Sequence, residues 1–243
     1  MIPHLIHQTW KSEIIPAEFQ EFVASWRSFH PSWEFRLWSD EDNRHLVQQH
    51  YDWLLPTYDG YPFAVQRADM ARILYMHQFG GLYVDLDFEC LRPFDDLVSA
   101  GVVFMGREKG GLGWYKRRLD YACNALLASP PGHSLWIRLL KKFVASARPQ
   151  RRWESRTSYV LATTGPQILD DAVDEYLERH DDLIVYPQNH FYPASAMEKN
   201  RETRRGLAKK HCSHAVHHFA NSWFSSSMHL VMWLGYFLRR PLA

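Results

Sequence analysis

Residues Gly80–Phe88 read GGLYVDLDF and connect a helix to a buried strand. The glycine pair ends a long helix predicted over Phe63–Phe79, because glycine accepts the left-handed conformation common at helix C-termini. The apolar residues that follow predict a strand over Leu82–Phe88. Since side chains alternate along a strand, we expect Asp85 and Asp87 to share one face, opposite the apolar side chains.

The carboxylates of Asp85 and Asp87 are the strongest chemical signal in the chain. Two residues apart on a strand places them ~7 Å apart, so that one can hold a divalent cation while the other binds a ribose hydroxyl or a metal-bound water. A solvated acidic face is the alternative interpretation. The apolar strand favours the binding site over the solvated face. Two carboxylates in apolar surroundings repel each other unless a cation or hydrogen-bond donors compensate for their charge.

Strands and helices alternate on both sides of this stretch. The predicted strands cover Leu5–Trp10, Trp33–Trp38, Val102–Met105 and Leu183–Tyr186, and the predicted helices begin at Pro16, at Ser39 or Asp40, at Gly132 and at Pro166. This alternation predicts an α/β fold with a largely parallel sheet covered on both faces, in which ligands bind at the carboxyl ends of the strands. Three segments, Tyr51–Pro62, Arg148–Arg156 and Glu198–Lys210, are predicted to be loops.

Composition excludes several classes of protein. The 243 residues are 46% hydrophobic, which is enough apolar surface for the core of one large domain. Lysine and arginine number 28 against 27 acidic residues, so the formal charge is +1 and the chain has no excess of positive charge for binding nucleic acid. Cys90, Cys123 and Cys212 lack the paired spacing of a zinc site or a disulfide framework, which favours a reducing compartment.

The two ends of the chain bear on localisation. The N-terminal MIPHLIHQTW lacks a basic segment followed by an apolar run, so we expect no signal peptide and a cytoplasmic protein. Met228–Leu238 is apolar and precedes Arg239 and Arg240, but it is about half the ~20 residues that span a bilayer. A packed helix and a contact with the inner face of a membrane are both open there. The expected division is a catalytic domain over residues 1–227 and a tail over residues 228–243.

Further candidate residues lie on the helix before the glycine pair and near the C-terminus. Asp69 and Arg72 are three residues apart and therefore share a helical face. They either pair with each other or face the pocket of Asp85 and bind ribose and phosphate. The segment HHFANSW contains His217 and His218, and neutral imidazole is a good ligand for manganese, although most histidines are structural.

Four segments resemble the motifs of glycosyltransferase family 32. They are IPHLIHQTW, LPTYDGYPFAVQRADMARILYMHQFGGLYVDLDFECLRPFD, TTGP and HHFANSW, and together they extend over most of the chain. The resemblance implies a GT-A fold, which is a single-domain, Rossmann-like mixed sheet flanked by helices with the DxD motif at a strand end. It also implies a transfer reaction that retains the anomeric configuration.

A more distant similarity to the catalytic domains of clostridial glucosylating toxins implies individual roles. Trp10 matches an aromatic side chain that stacks on the nucleotide base. Asp69 and Arg72 match contacts to the ribose and the donor sugar. Asp85 matches another ribose and sugar contact, and Asp87 matches a metal ligand.

Three more residues enter the expected donor site. Ser222 and Trp223 match a C-terminal segment that closes over the diphosphate. Gly165, in TTGP before a helix, is a candidate to offer its backbone N–H to a phosphate or sugar oxygen, although ordinary turn chemistry also explains it. His217 or His218 is expected to complete the coordination of Mn²⁺ or Mg²⁺, which stabilises the departing nucleoside diphosphate.

The resemblance also bears on the substrates. The LPTYDGYP segment is similar to the catalytic subunit of fungal mannosyl-inositol-phosphorylceramide synthases, so GDP-mannose is the preferred donor, followed by a UDP-hexose. The expected acceptor is a glycan or a lipid-linked glycan. Two rival functions are a metal-dependent phosphotransferase or nuclease, and a carbohydrate-binding or scaffold protein with a degenerate site. The missing phosphate loop disfavours the first, and the intact acidic and histidine motifs disfavour the second.

Overall fold

The computed structural model describes residues 1–109 and 120–220. Within these residues strands and helices alternate, as predicted. The strands are β1 Leu5–Thr9, β2 Glu34–Trp38, β3 Gly81–Val84, β4 Phe88–Cys90, β5 Val103–Lys109, β6 Asp120–Ser129, β7 Leu183–Tyr186 and β8 Ala215–His217. The helices are α1 Ala17–Phe29, α2 Asp40–His50, α3 Leu55–Gly60, α4 Ala64–Gln78, α5 Asp95–Ser99, α6 Ser134–Ser146, α7 Arg156–Thr163, α8 Pro166–Leu177 and α9 Arg201–His211.

Six strands form one sheet in the order β2-β1-β3-β6-β5-β7, and β4 and β8 form a separate two-stranded sheet. In the larger sheet β6 is antiparallel to its neighbours β3 and β5, and the remaining pairs are parallel. The predicted α/β class is therefore confirmed, with one antiparallel strand inside a mostly parallel sheet. Because of this geometry, the carboxyl ends of β1, β3 and β5 and the start of β6 meet at the same edge.

Apolar layers cover both faces of the large sheet. On one face the buried side chains of α4, α6 and α8 pack against strand residues such as Tyr83 and Leu127. On the other face the buried residues of α1 and of the loops pack against the alternate strand residues, such as Leu82 and Leu126. The alternation of side chains along each strand produces this division. The prediction of a sheet covered on both faces is confirmed.

Gly80 and Gly81 form the turn between α4 and β3. Both have positive φ values, of 65° and 90°, and the Gly80 N–H donates to the Tyr75 carbonyl. A Cβ on Gly81 would lie 2.4 Å from the carbonyl oxygen of Leu5 on the neighbouring β1. The glycine pair thus allows left-handed backbone and also lets two strands approach closely.

The predicted strand over Leu82–Phe88 is wrong in its second half. Strand β3 ends at Val84, Leu86 and Asp87 form a turn, and the chain resumes at Phe88 in the smaller sheet. The Phe88 N–H donates to the Asp85 carbonyl across this turn. The apolar residues on either side belong to different sheets, which periodicity alone does not reveal.

Two of the predicted loops contain helices. Within Tyr51–Pro62, residues Leu55–Gly60 form α3, because its proline stands in the first helical turn, where a missing N–H is tolerated. Within Glu198–Lys210, the helix α9 begins after Asn200, whose side chain accepts from the Thr203 N–H. Its charged residues are mostly exposed, and only a narrow stripe is buried.

In the part of the chain that the structure describes, no helix has both the length and the apolar character to cross a membrane. The apolar stretch Met228–Leu238 lies outside the described residues, as does the division expected at residue 227.

Candidate active site

A cavity of about 330 Å³ opens where β1, β3, β5 and β6 meet at one sheet edge. Its walls come from the loop after β1, one face of α4, the turn after β3, the facing ends of β5 and β6, and the chain after β8. This is the edge at which α/β sheets bind ligands. The predicted residues that line it are Trp10, Asp69, Arg72, Asp85, Asp87 and His217.

Three side chains meet at the centre of the cavity. Asp85, Asp87 and His217 each offer one ligand atom, and these atoms all lie within 4.8 Å of one another. Nε2 of His217 is 3.2 Å from Oδ1 of Asp87. The turn after β3 supplies the two carboxylates, and β8 brings the histidine to them.

Asp87 is held as an anion by its surroundings. Its Oδ2 accepts from the Ala220 N–H at 2.8 Å, and its backbone carbonyl accepts from the His218 N–H at 2.9 Å. Burial opposes the charge, but the charge of His217 and the hydrogen bonds from His217 and the Ala220 N–H together outweigh it and lower the pKa of the Asp87 carboxyl. In turn, although burial opposes its charge, Asp87 raises the pKa of the His217 imidazole.

Donor atoms suited to a divalent cation are therefore present. Two carboxylates and one imidazole form a coordination set that manganese and related ions accept. The Nδ1 atom of His217 is buried without a hydrogen-bond partner in the described residues, so no protein group fixes the proton on that nitrogen. The raised pKa of His217 favours its protonated form beside Asp87, so a metal ion at Nε2 would compete with a proton there. The residues fit such an ion.

The buried Asp69 and Arg72 form a network with the partly exposed Asp85 beside these ligands. The Arg72 guanidinium donates to Asp85 Oδ1 at 3.0 Å and lies 3.4 Å from Asp69 Oδ1. Its ion pairs raise the pKa of Arg72 although burial opposes the charge. The Tyr83 hydroxyl also donates to Asp85. Asp69 and Arg72 pair with each other and also line the same cavity as Asp85. Their binding of ribose and phosphate stays a prediction.

Asp69 is the least solvated carboxylate of this network. It accepts from Asn124 Nδ2 and from the Thr164 hydroxyl, each at 2.9 Å. Burial raises its pKa to about 6, and Arg72 opposes the shift. Burial likewise raises the pKa of Asp85. The acidity of the site thus varies over a short distance, from Asp87 to the carboxylates nearer α4.

His218 is directed away from the three-residue cluster. Its Nε2 lies 2.9 Å from Oε2 of Glu89, and its ring stacks on Phe22 at a centroid distance of 4.3 Å. Arg205 of α9 donates to the same carboxylate. Of the two adjacent histidines, the structure brings His217 to Asp87 and places His218 in a packing contact between α1, β4 and α9.

Of the other predicted site residues that the structure describes, only Trp10 lies at the cavity. Trp10 lies at the cavity wall and packs edge-on against Phe19, with ring centroids 5.6 Å apart. The N–H of Gly165 donates to the Val160 carbonyl at 2.9 Å, so it is engaged at the end of α7 rather than directed into the cavity. Ser222 and Trp223 lie outside the described residues.

Sequence reasoning missed the residues that β5 and β6 contribute. Glu108, Tyr121, Cys123 and Asn124 all line the cavity. The available signal was a polar Asn124 inside the apolar run of β6. The antiparallel return of this strand between β3 and β5 is a long-range pairing that local pattern does not reveal.

A family model described as the glycosyltransferase sugar-binding region containing DXD motif matches residues 16–103. This range includes the first two helices, α4 and the turn with Asp85 and Asp87. The inositol phosphoceramide mannosyltransferase 1 of Schizosaccharomyces pombe is 31% identical over 192 residues, covering 76% of this chain and 56% of its own length. The mannosyl phosphorylinositol ceramide synthase SUR1 of Saccharomyces cerevisiae is 30% identical, covering 72% of this chain and 43% of its own. The chain thus spans about half the length of these relatives.

A solved structure supports the fold. The UDP-bound glycosyltransferase domain from the YGT toxin superimposes with a TM-score of 0.54 at 9% identity, covering 87% of this chain and 89% of that domain. At this identity the likeness bears on the fold alone, and it agrees with the expected GT-A architecture. The motif match, the fungal relatives and the fold together assign the chain to glycosyltransferase family 32, the glycosyltransferases with a DXD sugar-binding region.

Proposed function

We propose that this chain transfers a hexose from a nucleotide-sugar donor to a glycan or glycolipid acceptor, with retention of the anomeric configuration. The observation that carries the proposal is the set of three ligand atoms, from Asp85, Asp87 and His217, which line the cavity within 4.8 Å of one another. A divalent ion at these residues, Mn²⁺ or Mg²⁺, would neutralise charge that develops on the departing diphosphate.

The chain's own residues divide the remaining tasks along the cavity. Trp10 offers an aromatic face to the nucleotide base. Asp85 and Asp69 are carboxylates that accept hydrogen bonds from ribose or sugar hydroxyls. The buried Arg72 contacts both of them and fixes their orientation, so that they do not reorganise when the donor binds.

The proposed transfer needs no nucleophile from the protein, because donor and acceptor supply every bond that breaks or forms. The bond between C1 of the hexose and the phosphate oxygen breaks, and its electron pair leaves on the nucleoside diphosphate. The acceptor hydroxyl oxygen forms the new bond to C1 on the same face, and its proton passes to the departing diphosphate. The protein therefore has to hold donor and acceptor in position, which is the task that the rigid ends of β1, β3 and β6 suit.

We propose GDP-mannose as the donor, with a UDP-hexose as the second choice. The relatives from Schizosaccharomyces pombe and Saccharomyces cerevisiae are both named for mannosyl transfer. Asp40, the first residue of α2, lines the same cavity as Trp10. The charge of Arg67 acts on its carboxylate, which forms no hydrogen bond within residues 1–109 and 120–220. A carboxylate can accept from both N1–H and N2–H of guanine, whereas uracil offers one N–H between two carbonyls.

The experiment is a panel of GDP- and UDP-sugars incubated with Mn²⁺, scored by released nucleoside diphosphate and by identification of the sugar product. We expect one donor to be hydrolysed slowly without acceptor, and Asp87→Asn to remove this release. Release of inorganic phosphate instead would support a phosphotransferase. If no donor in the panel releases nucleoside diphosphate and no nucleotide shifts the melting temperature, the result would support a degenerate carbohydrate-binding protein and contradict the proposal.

Base recognition is tested separately by comparing GDP with inosine diphosphate, which lacks the 2-amino group. Wild-type protein should bind GDP about tenfold more tightly, because one charge-assisted hydrogen bond is lost with inosine. Asp40→Asn should remove this preference, while the neighbouring exposed Glu41→Gln should keep it. Equal affinity of the wild type for both nucleotides would refute the role of Asp40 but would leave sugar transfer intact.

A further inference from the structure

Glu108 is a carboxylate of the cavity to which the family motifs assign no role. It stands near the carboxyl end of β5 and lines the cavity together with Asp87 and His217. Burial raises the pKa of its carboxyl, although the charge of His217 opposes the shift. A half-buried carboxylate beside other acids is stabilised by hydrogen-bond donors, and the described residues provide only part of that set.

Two neighbours on β6 hold Glu108 in place. The Cys123 thiol donates to its Oε2 at 2.9 Å, and Tyr121 stands opposite Glu108 in the pairing of β5 with β6. No cation from residues 1–109 or 120–220 lies within 4 Å of it. A carboxylate offers about four lone-pair sites, and a thiol is a weak donor. The carboxylate therefore keeps acceptor capacity for a group that enters the cavity.

The order of the strands indicates which group this is. Trp10 follows β1, Asp85 and Asp87 follow β3, and Glu108 lies on β5, with β6 between β3 and β5. Neighbouring strands are ~4.8 Å apart, so Glu108 lies on the side of the metal-ligating cluster opposite to Trp10, two strand spacings (~10 Å) beyond β3.

In a nucleotide-sugar the diphosphate stands between the nucleoside and the sugar. If the base stacks on Trp10 and the diphosphate meets Asp87, the sugar extends toward β6 and β5. Glu108 is half-buried and lines the cavity, so a group that reaches it lies inside the cavity. The donor sugar is enclosed there, whereas an acceptor arriving from solvent is less so.

We propose that Glu108 accepts a hydrogen bond from a hydroxyl of the hexose that is transferred and thereby positions this sugar. This inference rests on the proposed function. Cys123 and Tyr121 orient the carboxylate toward the sugar, and Glu108 takes no part in binding the nucleoside or the metal.

The test compares affinities for a nucleotide and its sugar. Calorimetry with Mn²⁺ should measure binding of GDP and of GDP-mannose, or of the donor that the panel identifies, to wild type, Glu108→Gln and Glu108→Ala. We expect GDP affinity to stay within about twofold and donor affinity to fall about tenfold or more in Glu108→Ala, the usual effect of losing a hydrogen bond to a charged group. The exposed Glu41→Gln is the matched control and should change neither affinity.

Deoxy donors make the assignment specific. Wild type should bind the donor that lacks one particular sugar hydroxyl about tenfold less tightly, and Glu108→Ala should no longer distinguish that analogue from the parent donor. If the variant does not fold, the wild-type series alone decides, because equal binding of every deoxy donor would overturn the inference.

Two other results would also overturn it: an unchanged affinity of Glu108→Ala for the donor, and an equal loss of affinity for GDP and donor. Absence of Mn²⁺-dependent nucleotide binding in the wild type is a separate result, which contradicts the proposed function itself. The two failures are therefore distinguishable.

Discussion

Nε2 of His217 lies 3.2 Å from Oδ1 of Asp87, while the adjacent His218 bonds to Glu89 instead. His217 is the last residue of β8 and His218 is the first residue after it, and the two side chains leave the backbone in different directions. One histidine faces the carboxylates of the central turn, and the other faces α1 and α9. This geometry leads to a first prediction about metal binding.

His217→Gln should weaken Mn²⁺ binding about tenfold or more, because it removes the only imidazole near both aspartates in the described residues. His218→Gln is the matched control, since it changes an adjacent buried histidine, and Mn²⁺ affinity should remain within about twofold of the wild type. Titration followed by electron paramagnetic resonance of free Mn²⁺ measures both. Equal effects of the two variants would contradict the assignment of His217.

Asp87→Asn should abolish metal-dependent turnover while leaving the fold intact. The amide keeps an oxygen that can accept from the Ala220 N–H, but it loses the charge that attracts the cation. We expect kcat to fall about a hundredfold or more, as when a main electrostatic contribution to catalysis is removed. Circular dichroism checks the fold, and Glu41→Gln serves as the control. Unchanged activity would eliminate the proposed metal site.

Trp10→Ala should mainly weaken donor binding. Stacking of a base on an aromatic side chain contributes about 1–3 kcal/mol, so the donor Kd should rise about tenfold while kcat at saturation changes little. Trp10→Phe keeps an aromatic face and should restore most of the affinity. Donor titrations monitored by calorimetry measure all three proteins. A Trp10→Ala variant with wild-type donor affinity would argue against stacking.

Asp69 should make the stability of the protein depend on pH. Burial raises its folded-state pKa from 3.8 to about 6, so the folded protein binds this proton more tightly than the unfolded chain. The contribution of Asp69 to the free energy of unfolding is therefore highest at low pH and is lost as the pH rises through about 4 to 6. Between pH 5 and pH 7 the loss should be about 1 kcal/mol.

Urea unfolding of the wild type and of Asp69→Asn at these two pH values measures this contribution. The fall in the free energy of unfolding between pH 5 and pH 7 should be smaller in the variant by the contribution of Asp69. Identical pH dependence of the two proteins would mean that Asp69 titrates at its ordinary pKa.

Gly81→Ala should destabilise the protein by about 2 kcal/mol or more, because φ is +90° and the new Cβ would lie 2.4 Å from the Leu5 carbonyl oxygen. Gly60→Ala is the control, since nothing lies within 4 Å of its Cβ position and its φ is not positive. Its effect should stay within about 1 kcal/mol. Chemical denaturation measures both, and similar effects would show that β1 and β3 can separate to accommodate the methyl group.

The parts of the fold that the sequence predicts are those with local causes. The alternation around Phe35 predicts β2, Ser39 caps α2, and the glycine pair ends α4 as expected. Asp69 and Arg72 follow from helical spacing because three residues nearly complete a turn. Each of these features depends on neighbours in sequence.

The features that escaped prediction depend on distant partners. Strand β6 is a long apolar run whose antiparallel pairing with β3 and β5 places Asn124 and Cys123 in the cavity. The break between Val84 and Phe88 exists because β4 pairs with β8 instead of extending β3. Glu108 becomes a site residue only through the position of β5 in the strand order.

The pairing of β4 with β8 also governs when the site can exist. A chain emerging from the ribosome exposes Asp85 and Asp87 long before Ala215–His217 and the Ala220 amide follow. Until β8 docks, the two carboxylates lack both the imidazole and the N–H that hold Asp87, and their mutual repulsion is uncompensated. If Asp85, Asp87 and His217 hold a cation as proposed, their ligand atoms come together only when β8 docks, so metal binding should report on this docking.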